Sequence, residues 1–198
     1  MSATRSYSST RRDARQGWLT KAAAWLAITL LTFTVAGGAL ATPPPAGTAI
    51  NNQASATYTD SSGVSHTVTS NVVQTIVQQV GALTLTQNGA ANATAGSVVY
   101  YPHTLTNTGN GTDTYSLTTA NSGGFTMASV QIYADNGSGQ PTGSPLTSTG
   151  ALASGATFKF IVAATLPTTA TAGQTNAITV TGTSTFDSTK TAADTDTT

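Results

Sequence analysis

The sequence predicts an all-β protein in which two antiparallel sheets form a sandwich. Beyond the N-terminal leader Thr, Ser, Ala, Asn and Gly dominate the chain. Thr and Val favour strands, whereas Gly, Asn and Ser favour turns. Short stretches that alternate apolar with polar residues recur between clusters of turn residues. No segment after the leader carries apolar residues at helical spacing over three turns. Strands that each bury one face are therefore expected.

The first 41 residues are typical of a cleavable signal peptide. Five basic residues precede an apolar run at residues 22–36, and Ala-Leu-Ala at residues 39–41 supplies a small-x-small cleavage site. We expect cleavage before Thr42 and export by general secretion. An uncleaved membrane anchor is the alternative, but the apolar run is shorter than the about 20 residues that span a bilayer. The arginine pair at residues 11–12 lacks the apolar residues that twin-arginine export wants after it.

Without the leader the chain carries little charge. All four Arg and one of the three Lys lie in the leader, so two Lys and six Asp remain, a formal net charge of −4. Such a chain has no basic surface for phosphate groups or anionic lipid, and we expect no nucleic-acid partner and no membrane contact after cleavage. The absence of cysteine excludes disulfides, a lipid on an N-terminal Cys and thiolate metal sites.

Four segments divide the predicted chain. The signal peptide at residues 1–41 is followed by a proline-rich linker at residues 42–48 and by a β-hairpin linking element at residues 49–80. Residues 81–198 form the sandwich domain, which ends in a polar tail at residues 188–198. The linker is either a stiff extended spacer or a disordered tail. The hairpin is too small to fold alone, so it must dock on the following domain or on another chain.

Residues 98–117 are predicted to form the central hairpin of the sandwich. Apolar residues alternate along both of its strands, and the turn pair Asn110-Gly111 is expected to adopt positive φ. Residues 135–150 are predicted to form a long Gly/Ser/Pro loop. The predicted core consists of Leu83, Leu85, Val99, Tyr101, Leu105, Tyr115, Leu117, Phe125, Ile132, Phe158, Phe160, Val162, Ile178 and Val180.

A weak internal sequence repeat relates the hairpin linking element to the end of the chain. Ala-Gly at residues 46–47 and the segment that follows are loosely matched by Ala-Gly at residues 172–173 and their successors. The match predicts an incomplete last element with an open edge near residues 178–187. Residues 54–80 of another copy would fill that edge. Chance similarity in a Thr-rich sequence is the alternative.

Candidate chemistry is sparse, and no residue is assigned a catalytic, cofactor-binding or metal-binding role. His103 lies on an inward face, where a hydrogen-bonded structural histidine is expected rather than a metal ligand, because His66 is the only other histidine. Residues 135–139, Asp-Asn-Gly-Ser-Gly, lack the further carboxylates of a calcium loop and are expected to form a surface turn. Lys159 is expected to point outward rather than to form an amide bond with an Asn. No Gly-x-Ser-x-Gly elbow is present, so we expect no hydrolase and no enzyme.

Four tyrosines raise the alternative of a sugar-binding strip, because flat rings stack on sugar faces. They are Tyr58, Tyr100, Tyr101 and Tyr133. Both Trp, the usual sugar platform, lie in the leader. Tyrosines of the core or its rim are therefore the preferred interpretation.

Residues 96–111, reading G-S-V-V-Y-Y-P-H-T-L-T-N-T-G-N-G, resemble the bacterial conserved-repeat domain of unknown function, the eleventh so catalogued. Residues 46–60, residues 130–140 and the later stretches L-A-S-G-A-T and L-P-T-T-A-T-A-G resemble its other segments, so the resemblance spans most of residues 46–187. It implies an immunoglobulin-like sandwich from large exported bacterial surface proteins, usually in tandem, with no catalytic residues. This chain differs in having one such domain and no visible wall-sorting signal or anchor.

These observations predict a non-catalytic, exported structural module of the bacterial cell surface or extracellular space, acting as a spacer or surface-layer component. Its expected partners are other copies of itself or like domains of surface proteins, and no cofactor is expected. A self-assembling surface fibre subunit that exchanges strands is one alternative. A glycan-binding adhesin domain is the other.

Overall fold

The computed structural model describes residues 43–198, and every regular element within them is a β-strand. The strands are β1 (Ala49–Asn52), β2 (Ser55–Thr59), β3 (Ser65–Thr69), β4 (Val73–Ile76), β5 (Leu83–Thr86), β6 (Val98–Asn107), β7 (Asp113–Gly123), β8 (Ser129–Asp135), β9 (Pro141–Thr142), β10 (Ser148–Leu152), β11 (Thr157–Thr165), β12 (Asn176–Ser184) and β13 (Thr191–Thr197). The all-β prediction is confirmed for these residues. The predicted signal peptide and its cleavage site lie outside them. Within residues 43–198 no helix long and apolar enough to cross a membrane is found.

Two larger sheets share one hydrophobic core. The strand order is β10-β7-β12-β13 in the four-stranded sheet and β5-β6-β11-β8-β9 in the five-stranded sheet, with antiparallel neighbours throughout. Gly182 on β12 shows how closely the sheets approach, since a Cβ atom there would lie 2.9 Å from Cδ1 of Leu105 on β6. A larger residue at this position would push the sheets apart.

The predicted core is largely correct. Eleven of its fourteen residues are buried, and the other three, Leu83, Phe125 and Phe158, are half-buried against the same cluster. The prediction omitted five buried residues. They are Met127, Leu152, Ile161, Ala164 and Leu166. Met127 and Leu166 lie just outside strands, where period-two alternation gives no guidance.

The predicted hairpin at residues 98–117 is wrong. Its two strands exist, but β6 pairs with β5 and β11, whereas β7 pairs with β10 and β12. Residues 108–112 therefore form an arch that crosses from one sheet to the other. Neither Asn110 nor Gly111 adopts the positive φ expected of a tight hairpin turn. An arch does not have to match the twist of two paired strands, so it does not require that conformation.

The predicted polar tail is also wrong, because most of it is strand β13. This strand pairs along β12 from Thr183 opposite Thr191 to Ala177 opposite Thr197. Since β7 occupies the other side of β12, the open edge expected near residues 178–187 is filled by the chain itself. Threonine suits strands, and the inward positions of β13 are held by Ala192, Asp194 and Asp196, so no run of large apolar residues marked this strand.

Residues 135–150 are not one continuous loop. They contain β9, which pairs with β8, and the start of β10, which pairs with β7. The segment therefore passes from the five-stranded sheet to the four-stranded sheet. Its Gly, Ser and Pro residues indicated turns but concealed these short strands.

The predicted front hairpin is present. Strands β2 and β3 pair with Tyr58 opposite His66, and Gly63 adopts φ 85° in the turn. The Asp60 side chain accepts hydrogen bonds from the backbone amides of Ser62 and Val64, which fixes that turn. Strands β1 and β4, which precede β2 and follow β3 in the chain, form a second ladder. We call residues 49–76 the front hairpin, and every residue in its four strands is exposed.

Candidate functional site

A buried histidine–aspartate pair joins the two sheets. His103 Nε2 on β6 lies 2.9 Å from Asp196 Oδ2 on β13, and both side chains are 0% exposed. Alternation along β6 turns His103 inward, where its ring stacks on Phe160 at a centroid distance of 5.2 Å. As the sequence suggested, His103 is a buried, hydrogen-bonded histidine. Its partner was not foreseen.

Further hydrogen bonds extend this link to a loop and to the end of the chain. Asp196 Oδ1 accepts a hydrogen bond from the Gly89 amide at 2.9 Å. The Tyr101 hydroxyl donates to the Thr197 carbonyl at 3.1 Å and lies 2.6 Å from the Thr198 hydroxyl. Burial raises the pKa of Tyr101, which keeps this hydroxyl protonated. Strand β13 is therefore fastened to the opposite sheet at several points.

A second carboxylate approaches the same imidazole without bonding to it. Asp194 Oδ2 lies 3.7 Å from His103 Nδ1, and neither atom has a hydrogen-bond partner. Burial raises the pKa of Asp194, although the nearby His103 opposes that shift. The Oδ2 atom of Asp194 has therefore lost solvation without gaining a hydrogen bond in return.

The pKa of Asp194 predicts how one substitution changes the pH dependence of stability. Because folding raises this pKa above its ordinary value of 3.8, the folded chain binds the proton more tightly than the unfolded chain. The wild-type chain therefore loses stability as the pH rises from 3.8 through the raised pKa of Asp194 in the folded chain. In the Asp194→Asn variant this loss disappears. The free energy of unfolding, measured with urea from about pH 3 to 8, should shift in favour of the variant as the pH rises.

The Asp187→Asn variant provides a control of opposite sign. Hydrogen bonds from Thr189 lower the pKa of Asp187, so its contribution to stability appears as the pH rises. Relative to the wild-type chain, the free energy of unfolding of the Asp187→Asn variant should therefore fall as the pH rises over the same range. A difference curve for Asp194→Asn that is flat, or that runs parallel to that for Asp187→Asn, would contradict the raised pKa.

The His103 cluster is built as a cross-link rather than as a reactive centre. The side chains of His103 and Asp196 are closed off from solvent, so a substrate cannot reach the imidazole in the folded chain. Across residues 43–198, no three His, Cys, Asp or Glu side chains are arranged to hold a metal ion. What the pair can do is hold β6 and β13 together across the core.

Asp135 and Lys159, which the sequence analysis weighed for calcium binding and for an amide bond, lie on the surface. Asp135 Oδ1 accepts hydrogen bonds from the amides of Gly137 and Gly139, at 2.8 and 3.0 Å, and so closes a turn. Lys159 is exposed on the outer face of β11, the side that the alternation predicted. Lys159 pairs with Thr104, next to the Phe160–His103 pair, so its side chain lies on the sheet face opposite to that of His103.

The four tyrosines do not form one strip. Tyr101 is buried, and Tyr58 stacks on His66 in the front hairpin at a centroid distance of 5.2 Å. Tyr100 on β6 and Tyr133 on β8 border a groove of about 380 Å³ on the outer face of the five-stranded sheet. Ala163 on β11 lies between them and opposite Tyr100, where its small side chain leaves the groove open. We call this surface the groove face.

The base of the front hairpin is held by the arch between β6 and β7. The Asn110 side chain donates to the carbonyls of Gln78 and Pro44, at 3.0 and 3.3 Å, and accepts from the Val80 amide at 2.7 Å. The Gln79 side chain donates to the Thr112 carbonyl at 2.9 Å. One asparagine thus fixes both chain segments that enter and leave the hairpin. The sequence indicated only a turn at Asn110.

The front hairpin presents an uncovered apolar face. Ala56, Tyr58, His66 and Val68 lie on one side of the β2–β3 ladder, with Val64 just before β3, and the opposite side carries only Ser and Thr. Eight of the eleven large hydrophobic residues exposed within residues 43–198 belong to residues 50–80. A two-stranded hairpin is marginal in water unless such a face is covered. This face is therefore a candidate interaction surface.

Comparisons with known proteins add little to this description. No family model matches the chain, and no curated protein matches it. A similar solved structure is the ASH / PapD-like domain of human CEP192 (PapD-like domain 7), at 14% identity, covering 58% of this chain and 80% of that chain with a TM-score of 0.33. The resemblance to the bacterial conserved-repeat domain stays a prediction.

Proposed function

We propose that the chain is a non-catalytic structural module of the bacterial cell surface or extracellular space, folded as an immunoglobulin-like β-sandwich. Its role is that of a spacer or surface-layer component. The observation that carries this proposal is the use of buried polar side chains as ties between strands, above all His103 with Asp196. A domain held in this way suits a mechanical role, and the enclosed imidazole does not suit a chemical one.

Other buried polar groups support the same role. Asp113 accepts hydrogen bonds from the Ser184 hydroxyl and the Phe186 amide, which ties the start of β7 to the end of β12. The Tyr115 hydroxyl donates to the Ala82 carbonyl at 3.0 Å, and burial raises the pKa of Tyr115 to about 12. These bonds join distant segments in a chain that has no cysteine. They suit a module that keeps its shape outside the cell.

The proposed export rests on the leader, and the proposed partners rest on the low charge. A basic segment, an apolar run and Ala-Leu-Ala at residues 39–41 support export by general secretion. The two Lys and six Asp beyond the leader leave broad neutral surfaces. Such surfaces lose little solvation when like domains pack against them, so copies of itself or similar domains are the proposed partners.

Export is tested by producing the full chain in a bacterial host. We expect the product to begin at Thr42, by intact mass, and to be digested when protease is added to whole cells. The variant Ala41→Leu should keep its leader, whereas the matched variant Leu40→Ala should be cleaved normally, because the cleavage site requires small residues only at its outer positions. A product retained in the cytoplasm with its leader would refute the proposal, as would turnover of any substrate that the variant His103→Gln abolishes.

A further inference from the structure

We propose that the front hairpin of one copy docks on the groove face of a second copy, so that chains associate head to tail. The inference rests on the proposed structural role and names its partner. It concerns two surfaces that the fold leaves uncovered, one on each side of the contact.

The donor surface is the apolar face of the front hairpin. Tyr58 and Val68 are each 54% exposed, and Val64 is 53% exposed. The β2–β3 ladder has no third strand, and no other sheet covers it. Its Ser/Thr face can stay in water, but its apolar face gains free energy from any contact that removes it from water.

The acceptor surface is the groove face. Apart from those in residues 50–80 and Phe186, the large hydrophobic residues exposed within residues 43–198 are Val98 and Tyr100. Both line this groove. Tyr100, Ala163 and Gln131 stand side by side on three adjacent strands, so a small residue lies between two larger ones. A raised apolar ridge such as Tyr58 with Val68 fits into such a depression.

Donor and acceptor lie at opposite ends of β6. The hairpin base is held by Asn110, just beyond the last residue of β6, whereas the groove begins at Val98, the first residue. Ten residues of strand separate the two ends by about 30 Å. A contact between two different surfaces is heterologous, so it generates an open chain of copies unless the rotation between successive copies closes a ring.

Charge favours this pairing. The groove is lined by no charged residue. The front hairpin carries a single carboxylate, Asp60, which already binds His66 at 2.8 Å. Hydrogen bonds from Ser62 and His66 lower the pKa of Asp60, so this carboxylate is ionised and already has hydrogen-bond partners at the edge of the donor surface. Neither surface therefore has to bury a bare charge.

The size of the contact predicts weak association. A ladder of five residue pairs is about 17 Å long, so the hairpin face covers well below the roughly 800 Å² per partner of a standard interface. We expect a monomer in dilute solution and reversible growth at high concentration. The contact is face to face, because the edge of β12 that strand exchange would need is occupied by β13.

The donor surface is tested with the exported chain by sedimentation and light scattering over a wide concentration range. Val68→Lys should raise the concentration needed for association at least about tenfold, because a charge would enter the contact. Thr69→Lys is the matched control, since Thr69 is the next residue along β3 and faces the other way. Val64→Lys, on the same face as Val68, should repeat its effect. Circular dichroism should be unchanged in all of these variants.

The acceptor surface is tested with Ala163→Lys, against the control Thr118→Lys on the outer face of the four-stranded sheet. Each interface variant keeps one working surface, so a mixture of Val68→Lys and Ala163→Lys should stop at a 1:1 dimer. A wild-type chain that is monomeric throughout, or a mixture that does not pair, would overturn the docking proposal. Neither result would affect the export experiment above. If the wild-type chain is a monomer that binds a glycan, and Ala163→Lys loses that binding, the docking proposal is overturned in favour of a sugar site.

Discussion

The variant His103→Ala is expected to lower the free energy of unfolding by about 3–5 kcal/mol, because it leaves the Asp196 carboxylate buried without its partner. The loss should appear in urea unfolding at pH 7 of the chain from Thr42 onward, followed by circular dichroism. It combines an unpaired charge with a cavity beside Phe160, on which the imidazole stacks.

The second histidine provides the control. His66 lies at the same kind of distance from a carboxylate, 2.8 Å from Asp60, but its side chain is 44% exposed. Water screens that pair, and Asp60 keeps its hydrogen bonds to Ser62 and Val64 when the imidazole is removed. His66→Ala should therefore change the stability of the two larger sheets far less than His103→Ala. Equal effects of the two variants would contradict the cross-link.

Changes at Asp196 separate charge from hydrogen bonding. Asp196→Asn keeps an oxygen for the Gly89 amide, whereas Asp196→Ala leaves that amide without an acceptor. We expect the Asn variant to be the more stable of the two. If the cost of His103→Ala comes from the unpaired charge, the double variant His103→Ala, Asp196→Asn should recover part of it. A double variant that is less stable than the sum of its single changes would refute that cause.

The sequence predicted which residues face inward better than which strands are neighbours. Along residues 98–107 the alternation identified Val99, Tyr101, His103 and Leu105 correctly, because burial of one strand face is a local property. Pairing is not local. The alternation of β6 and β7 is the same whether they pair in one sheet or face each other across the core. The arch was therefore mistaken for a hairpin turn.

Strand β13 was missed for a different reason. Its inward positions include Asp194 and Asp196, which are two residues apart and thus on one strand face, but carboxylates normally indicate solvent. They are tolerated there because His103, 93 residues before Asp196, reaches the same point from the other sheet. An inward histidine without a partner was itself a signal that an acidic residue should be sought on a strand elsewhere.

The variant Asn107→Ala is expected to lower the free energy of unfolding by about 3 kcal/mol, from three hydrogen bonds worth about 1 kcal/mol each. Asn107 is fully buried at the end of β6. Its amide nitrogen donates to the carbonyls of Gly111 and Leu152, at 2.9 and 2.8 Å, and its oxygen accepts from the Gly109 amide at 2.9 Å. Because Leu152 belongs to β10, this side chain shapes the arch and also joins the two sheets. Urea unfolding measures the loss.

Two further asparagine variants isolate the cause. Asn107→Asp keeps the shape of the side chain and the acceptor for Gly109, but it turns an oxygen toward two carbonyls. It should therefore destabilise at least as much as Asn107→Ala, and a tolerated Asp would show that shape alone matters. Asn110→Ala, in the same arch, should leave the unfolding of the two larger sheets nearly unchanged, because Asn110 binds the hairpin base instead. Its effect should be faster proteolysis near Gln78, which follows from the loss of that base.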